Sequence, residues 1–174
     1  MSDQWSSTML TRRLALLSGI SLAACGPSNT GSASTPPASE DGIDWASLTE
    51  AQWRERLSPA EFNVLRREGT ERPGSSPLND ETREGIYACA GCGLPLFSSE
   101  TKYESGTGWP SFWQPLDGAV NTKPDYRIWT PRTEYHCARC GGHQGHVFED
   151  GPHPTGQRWC NNGIALRFIP AGDA

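Results

Sequence analysis

Apolar positions along this chain fall into three regimes. They are nearly continuous from Leu14 to Ala24, have no period from Gly26 to Glu40, and from Leu48 onward come in short clusters separated by polar and turn-forming residues. The third regime begins with two short helices. Thr49 and Gln52 have capping-box spacing, with Leu48 and Trp53 placed as a hydrophobic staple. Ser58 and Glu61 repeat the pattern with Leu57 and Phe62 as the staple, Pro59 at the first helical position and Gly69 as the expected stop. Phe62 and Leu65 share one face. From Gly85 the period changes. Ile86-Tyr87-Ala88, Tyr126-Arg127-Ile128-Trp129, His146-Val147-Phe148 and Ile164 to Ile169 read as strands, the last alternating Ile164, Leu166 and Phe168 against Ala165, Arg167 and Ile169. With no long helical pattern in this part, the expectation is a mainly β domain built from antiparallel strands.

Composition agrees with that reading and adds to it. A length of 174 residues bounds the chain to one domain with a modest core. Nineteen Gly and 14 Pro fit a turn-rich β fold, and seven Trp exceed ordinary packing needs, which points to aromatic rings on a binding surface. Net charge is −5 with no basic run, so nucleic acid is excluded as a partner.

The first two regimes read as an address and a tether. Thr11-Arg12-Arg13 precedes an apolar run too short for a transmembrane anchor, and Leu22-Ala23-Ala24-Cys25 has the form of a bacterial lipoprotein box in which Cys25 is lipidated. A plain secretory signal with a chance cysteine is the alternative. Residues 1–25 are thus expected to be a lipoprotein-type signal, 26–43 a flexible linker and 44–174 the folded domain, exported and membrane-anchored on the periplasmic or cell-surface side.

Six cysteines carry the chemistry. Cys89-Ala90-Gly91-Cys92-Gly93 and Cys137-Ala138-Arg139-Cys140-Gly141 are two C-x-x-C turns of identical form, able to offer four thiolates to one structural zinc ion. Two disulfides are the alternative in an oxidising compartment. Cys160 is left over. It is either a small buried hydrophobe or a nucleophile. Arg158 and Asn162 flank it two residues away on each side, so on a strand all three side chains point the same way and Arg158 is expected to lower the thiol pKa. His143 and His146 could supply protons, and Trp109, in Gly108-Trp109-Pro110, could hold a methyl group beside sulfur. Singly, each could equally be an ordinary strand or core residue.

From Trp53 to Ile169 the chain resembles the B-type methionine sulfoxide reductases. The matching stretches are Gly69-Thr70-Glu71-Arg72-Pro73, Gly85-Ile86-Tyr87, Leu96 to Lys102, Ser105 to Phe112, Gly145 to Pro152 and Pro154 to Cys160. The resemblance implies a barrel-like domain of two antiparallel sheets with small N-terminal helices. It implies that Cys160 is the nucleophile, that His143, His146 and Asn162 bind and protonate the sulfoxide oxygen, and that Trp109, with Phe148 and Arg158, forms the substrate-binding surface. Cys89, Cys92, Cys137 and Cys140 are then the zinc ligands. The implied partners are oxidised proteins carrying methionine-R-sulfoxide and a thioredoxin-like thiol reductant, with a monomer expected. Thr107 stands where many members carry a resolving cysteine, Gly163 where Ser is usual, Trp159 for a common Tyr or Phe, and Gln144 for a common Leu. Two other classes remain open on the residues: a lipid-tethered zinc module without catalysis, and a thiol-disulfide oxidoreductase using one C-x-x-C.

Overall fold

The structure, a computed structural model, describes residues 42–172. The expected signal segment, Cys25 and most of the expected linker lie outside them. Both capping boxes form. Thr49 begins α1 (Glu50–Arg56), its backbone N–H donating to Gln52 Oε1 at 2.8 Å, and Ser58 begins α2 (Pro59–Arg67), its N–H donating to Glu61 Oε2 at 2.8 Å. Gly69 is not the stop. The left-handed residue that ends α2 is Glu68, at φ 55°. Its carboxylate is paired with Lys123 and Arg127, which holds this non-glycine residue in place.

Nine strands follow: β1 (Gly85–Cys89), β2 (Pro95–Ser98), β3 (Lys102–Tyr103), β4 (Ser111–Phe112), β5 (Val120–Asp125), β6 (Arg132–Cys137), β7 (His143–Phe148), β8 (Arg158–Asn161) and β9 (Leu166–Pro170). They make two antiparallel sheets, β2-β1-β9 and β3-β4-β8-β7-β6-β5. Three strand assignments from the sequence hold wholly or in part, since the Ile164 segment opens with a single 3-10 turn at Gly163–Ala165 before β9 begins. The fourth fails. Tyr126 to Trp129 is the exposed connection between β5 and β6. An apolar run gives no ladder partner of its own, and here the pairing falls on the polar residues either side of it, Lys123 opposite Glu134 and Asp125 opposite Arg132.

The sheets share an aromatic core. Phe97 stacks on Phe112 with centroids 4.2 Å apart, Tyr87 meets Phe112 and Phe168 at 4.9 Å each, and Tyr135 meets Trp159 edge-on at 5.0 Å. Each such buried ring contributes roughly 1.5–3 kcal/mol by leaving water. In β6, β7 and β8 one side-chain set (Tyr135, Val147, Trp159, Asn161) alternates strictly with the other (Glu134, His146, Phe148, Arg158, Cys160), because successive strand residues face opposite sides.

Candidate active site and zinc centre

Register alone assembles the outer face. Cys160 on β8 is directly opposite His146 on β7, and Arg158 opposite Phe148. His146 is in turn opposite Glu134 on β6. Directly opposed residues of antiparallel strands hold their Cβ atoms about 4.5–5.5 Å apart on one face. His146 therefore borders the Cys160 thiol, and β4 closes the other side by pairing Ser111 with Cys160.

Two carboxylates that sequence reading passed over hold the histidines. His146 Nε2 lies 2.8 Å from Asp125 Oδ2, which also accepts from Arg132 Nη2 at 2.6 Å. His143 is buried, with Nδ1 2.7 Å from Glu134 Oε1 and its ring 5.5 Å from that of His146. Asp125 is driven far below the usual carboxylate range, first by the Arg127 backbone N–H and then by His146 and Arg132. Burial alone would raise Glu134, but the nearby His136 ring, the hydrogen bond with His143 and the charge of Lys123 outweigh it and leave it well below that range. Both are acceptors, so His146 carries its hydrogen on Nε2 and has its lone pair on Nδ1. Burial also lowers the pKa of His146, keeping the ring neutral near neutral pH.

Cys160 itself departs from expectation. Arg158 and Thr107 do pull its pKa down, but burial is the larger effect and the thiol ends above its ordinary value of 9.0. The positive charge is shared, because Arg158 makes a two-point pair with Asp150 at 2.8 and 2.9 Å and lies 4.3 Å from the centre of the Phe148 ring. At rest the face therefore holds a neutral thiol and, on the neighbouring strand, a neutral imidazole.

Thr70, Trp109, Arg132, Gly145, His146, Phe148, Cys160, Asn161 and Asn162 line a pocket of about 130 Å³. Pockets for whole drug-sized ligands run to several hundred Å³, so this one takes the end of a side chain. Roomier depressions of about 470 and 520 Å³ elsewhere contain neither cysteine nor histidine. Trp109 is fixed by its Nε1–H donating to the Glu71 carbonyl at 3.3 Å. Asn162 lies just past β8. Its Oδ1 accepts from Glu71 N at 3.1 Å, and one Nδ2 hydrogen goes to the Gln144 carbonyl at 2.9 Å. Glu71, with its carboxylate on the Gly163 and Ile164 N–H groups, thus ties the Thr70–Glu71 segment across the pocket. Of the residues named from sequence, the pocket gathers Cys160, His146, Asn162, Trp109 and Phe148. Arg158 lies behind the Phe148 ring and His143 behind His146. Asp125, Glu134, Arg132, Thr70 and Asn161 were missed. The Glu71 segment was visible only as a matched motif, without a role.

Cys89, Cys92, Cys137 and Cys140 converge so that all four sulfurs lie within 4.8 Å of one another. Sulfurs are 3.7 Å apart for Cys89 and Cys140 and 3.5 Å for Cys92 and Cys137. A tetrahedral zinc with Zn–S of about 2.3 Å places its sulfurs about 3.8 Å apart. A disulfide needs about 2.05 Å. The set fits zinc, and with four thiolates it is a closed, structural site. The two turns are built alike: Gly93 N–H donates to the Cys89 carbonyl at 2.8 Å and Gly141 N–H to the Cys137 carbonyl at 2.9 Å, each glycine in the left-handed region. The helices buttress this end, Arg66 donating to the Cys140 carbonyl at 2.9 Å. Buried Gln144 joins the two centres. Its Nε2 lies 3.4 Å from Cys89 Sγ, its Oε1 accepts from Asn161 Nδ2 at 3.4 Å, and its carbonyl accepts from Asn162.

Residues 57–170 match the SelR domain. The chain is 50% identical over 123 residues to the peptide methionine sulfoxide reductase MsrB of Agrobacterium fabrum, covering 70% of this chain and 91% of that protein. It is 50% identical over 121 residues to the protein of the same name from Methanosarcina barkeri, covering 69% and 85%, and 47% identical over 134 residues to that of Hahella chejuensis, covering 76% and 96%. This chain belongs to the MsrB family. Its SelR domain takes in both cysteine pairs, the pocket and all nine strands.

Proposed function

We propose that this MsrB-family chain reduces the R epimer of methionine sulfoxide in oxidised peptides and proteins, with Cys160 as nucleophile. The observation that carries the reading is the register that sets Cys160 opposite His146 at a side-chain-sized pocket walled by Trp109 and Phe148. The names of the relatives support it. Trp109 and Phe148 hold the S-methyl group, and Arg158 fixes the Phe148 ring from behind. The second Nδ2 hydrogen of Asn162 binds the sulfoxide oxygen. His146 takes the thiol proton at Nδ1, the Cys160 sulfur attacks the sulfoxide sulfur, and the S–O bond breaks as oxygen passes to Cys160. The proton ends on that oxygen. Thiol and sulfoxide thus become sulfenic acid and thioether, a two-electron exchange with all atoms retained. His143 is a positioning residue, held by Glu134 against His146. Zinc bound by the four cysteines holds the two knuckles together.

The other described cysteines belong to the zinc cage, so regeneration uses an external thiol, such as that of a thioredoxin-like protein. That thiol attacks the sulfenic sulfur, expelling water and leaving a mixed disulfide. A second thiol then releases Cys160. We further propose that the chain is an exported lipoprotein acting as a monomer, with signal 1–25, Cys25 lipidated, tether 26–43 and catalytic domain 44–174 on the periplasmic or cell-surface side of the membrane.

An epimer-resolved reductase assay tests the chemistry. Turnover of the R epimer that vanishes in Cys160→Ser supports it, and near-native turnover in that variant, or activity on the S epimer alone, overturns it. Cys25→Ala should abolish lipidation and shift the protein out of the membrane fraction; unchanged partition would contradict the anchor.

A further inference from the structure

Three large hydrophobic side chains are exposed among the described residues, and all three fall in one short connection: Tyr126 at 74%, Ile128 at 48% and Trp129 at 100%. Scattered apolar side chains on a surface are ordinary, but a cluster marks an interaction site. This connection is also tied to the pocket from both ends. Tyr126 adjoins Asp125, which receives the His146 hydrogen bond, and only Thr130 and Pro131 separate Trp129 from Arg132, which lines the pocket. The Asp125–Arg132 pair closes the base of the loop at 2.6 Å, and Asp125 Oδ1 accepts from Arg127 N at 2.9 Å. Arg127 is in turn paired with Glu68, so the charges of the loop are matched within the protein and its tip is left apolar.

We propose that Tyr126, Ile128 and Trp129 form a docking surface for the apolar, extended polypeptide that flanks a methionine sulfoxide. This rests on the reductase reading above. The pocket admits only a side-chain end, so the backbone and neighbouring residues of a protein substrate must lie outside it, and Arg132, where this loop ends, is part of the pocket wall. An unfolded, oxidised segment exposes the apolar residues that the tip can cover, and Trp and Tyr are the side chains that most often anchor such contacts. A lipid surface is the other apolar partner for a Trp and Tyr tip. The shared Asp125–Arg132 base favours polypeptide, since a membrane contact would have no need of the pocket's own residues.

The test compares the zinc-loaded full chain with its Tyr126→Ser, Ile128→Ser, Trp129→Ser triple variant on two R-sulfoxide substrates: N-acetylmethionine sulfoxide and a peptide carrying leucine and phenylalanine beside the sulfoxide. The expected result is a fall of about fivefold or more in the ratio of kcat/KM for peptide over amino acid, carried by KM. An unchanged ratio overturns the proposal. So do equal losses on both substrates, which would place the effect on Asp125 and His146. A constant ratio combined with lost binding to phosphatidylcholine–phosphatidylglycerol vesicles overturns it in favour of a membrane contact. A parallel measurement reads docking without turnover: fluorescence anisotropy of the labelled peptide with Cys160→Ser should show the same weakening when the triple substitution is added. If docking weakens as expected but the unsubstituted chain reduces neither substrate, the docking surface stands and the reductase reading fails.

Discussion

Gly145 precedes His146 and lies opposite Asn161, beside the Cys160 carbonyl. A Cβ built on Gly145 falls 1.9 Å from the Cys160 carbonyl oxygen and 3.0 Å from its carbon. Carbon and oxygen in close but tolerable contact sit about 3.3 Å apart. In Gly145→Ala, β7 and β8 must therefore separate locally by about 1.4 Å. The atom to be displaced is main chain in the centre of the larger sheet, where no side-chain rotation relieves the clash. Overpacking of this kind costs about 1–3 kcal/mol, and a ladder hydrogen bond stretched out of range adds about 1 kcal/mol. A total loss of about 2–4 kcal/mol is expected from urea unfolding of the zinc-loaded chain. Catalysis should fall further than stability explains, because the separation occurs between His146 and Cys160, and a displacement of about 1 Å costs on the order of a hundredfold in rate. The measurement is kcat/KM on the R sulfoxide under conditions where the variant is fully folded. A variant within about 0.5 kcal/mol of the unsubstituted chain, or one that is destabilised yet turns over within about twofold of it, would refute the reasoning that the close approach of these strands sets the reacting geometry.

Because burial raises the Cys160 thiol above 9.0, the thiolate fraction climbs throughout the neutral range, and kcat/KM should rise with pH from about 6 to 9; a plateau by pH 7 would contradict the raised thiol. The same shift makes a contribution to stability that is fully present below the unfolded thiol value and is lost as pH rises through the folded one. One zinc per chain should be found by elemental analysis. Its removal should destabilise the fold by several kcal/mol, since the loops it closes, 45 and 51 residues in sequence separation, correspond to about 4 kcal/mol of chain entropy on the cross-link scale; a metal-free protein of unchanged stability would contradict this. Thr107 is close enough to Cys160 to pull its pKa down, so Thr107→Cys should capture the sulfenic acid as a disulfide and suppress its labelling by a dimedone-type probe after one turnover; undiminished labelling would show that the two positions do not meet productively.

The features legible in the sequence were local. The two capping boxes depend on residues three positions apart, and each zinc knuckle on a C-x-x-C-G string, so both could be read along the chain. Cys160, His146 and Trp109 were recoverable because they sit in motifs of a recognised family. Asp125 and Glu134 were not, since their roles come from lateral pairing of β5, β6 and β7, and nothing in the local string reveals which carboxylate faces which histidine. The thiol pKa failed for a similar reason: Arg158 is visible beside Cys160, whereas Asp150, which shares its charge, and the burial that outweighs it come from the fold. Tyr126 to Trp129 misled because a short apolar run reads as a strand, whereas here it is the exposed connection between two. Glu68 shows the reverse limit, a residue held left-handed by partners that lie far along the chain.

The alternation along β6, β7 and β8 makes the proposed catalytic face a matter of phase. Glu134, His146 and Cys160 share one parity, and Tyr135, Gly145 and Asn161 the other. A one-residue insertion at the start of β7 would leave every residue of the candidate site in the protein and most of the composition of the strand untouched. It would nevertheless bring Gly145 opposite Cys160, move the imidazole opposite Trp159 on the core side, and force a side chain into the narrow approach that only glycine fits. The connections that flank these strands therefore can vary in length only where they do not shift the count: an inventory of residues survives such a change, and the site does not.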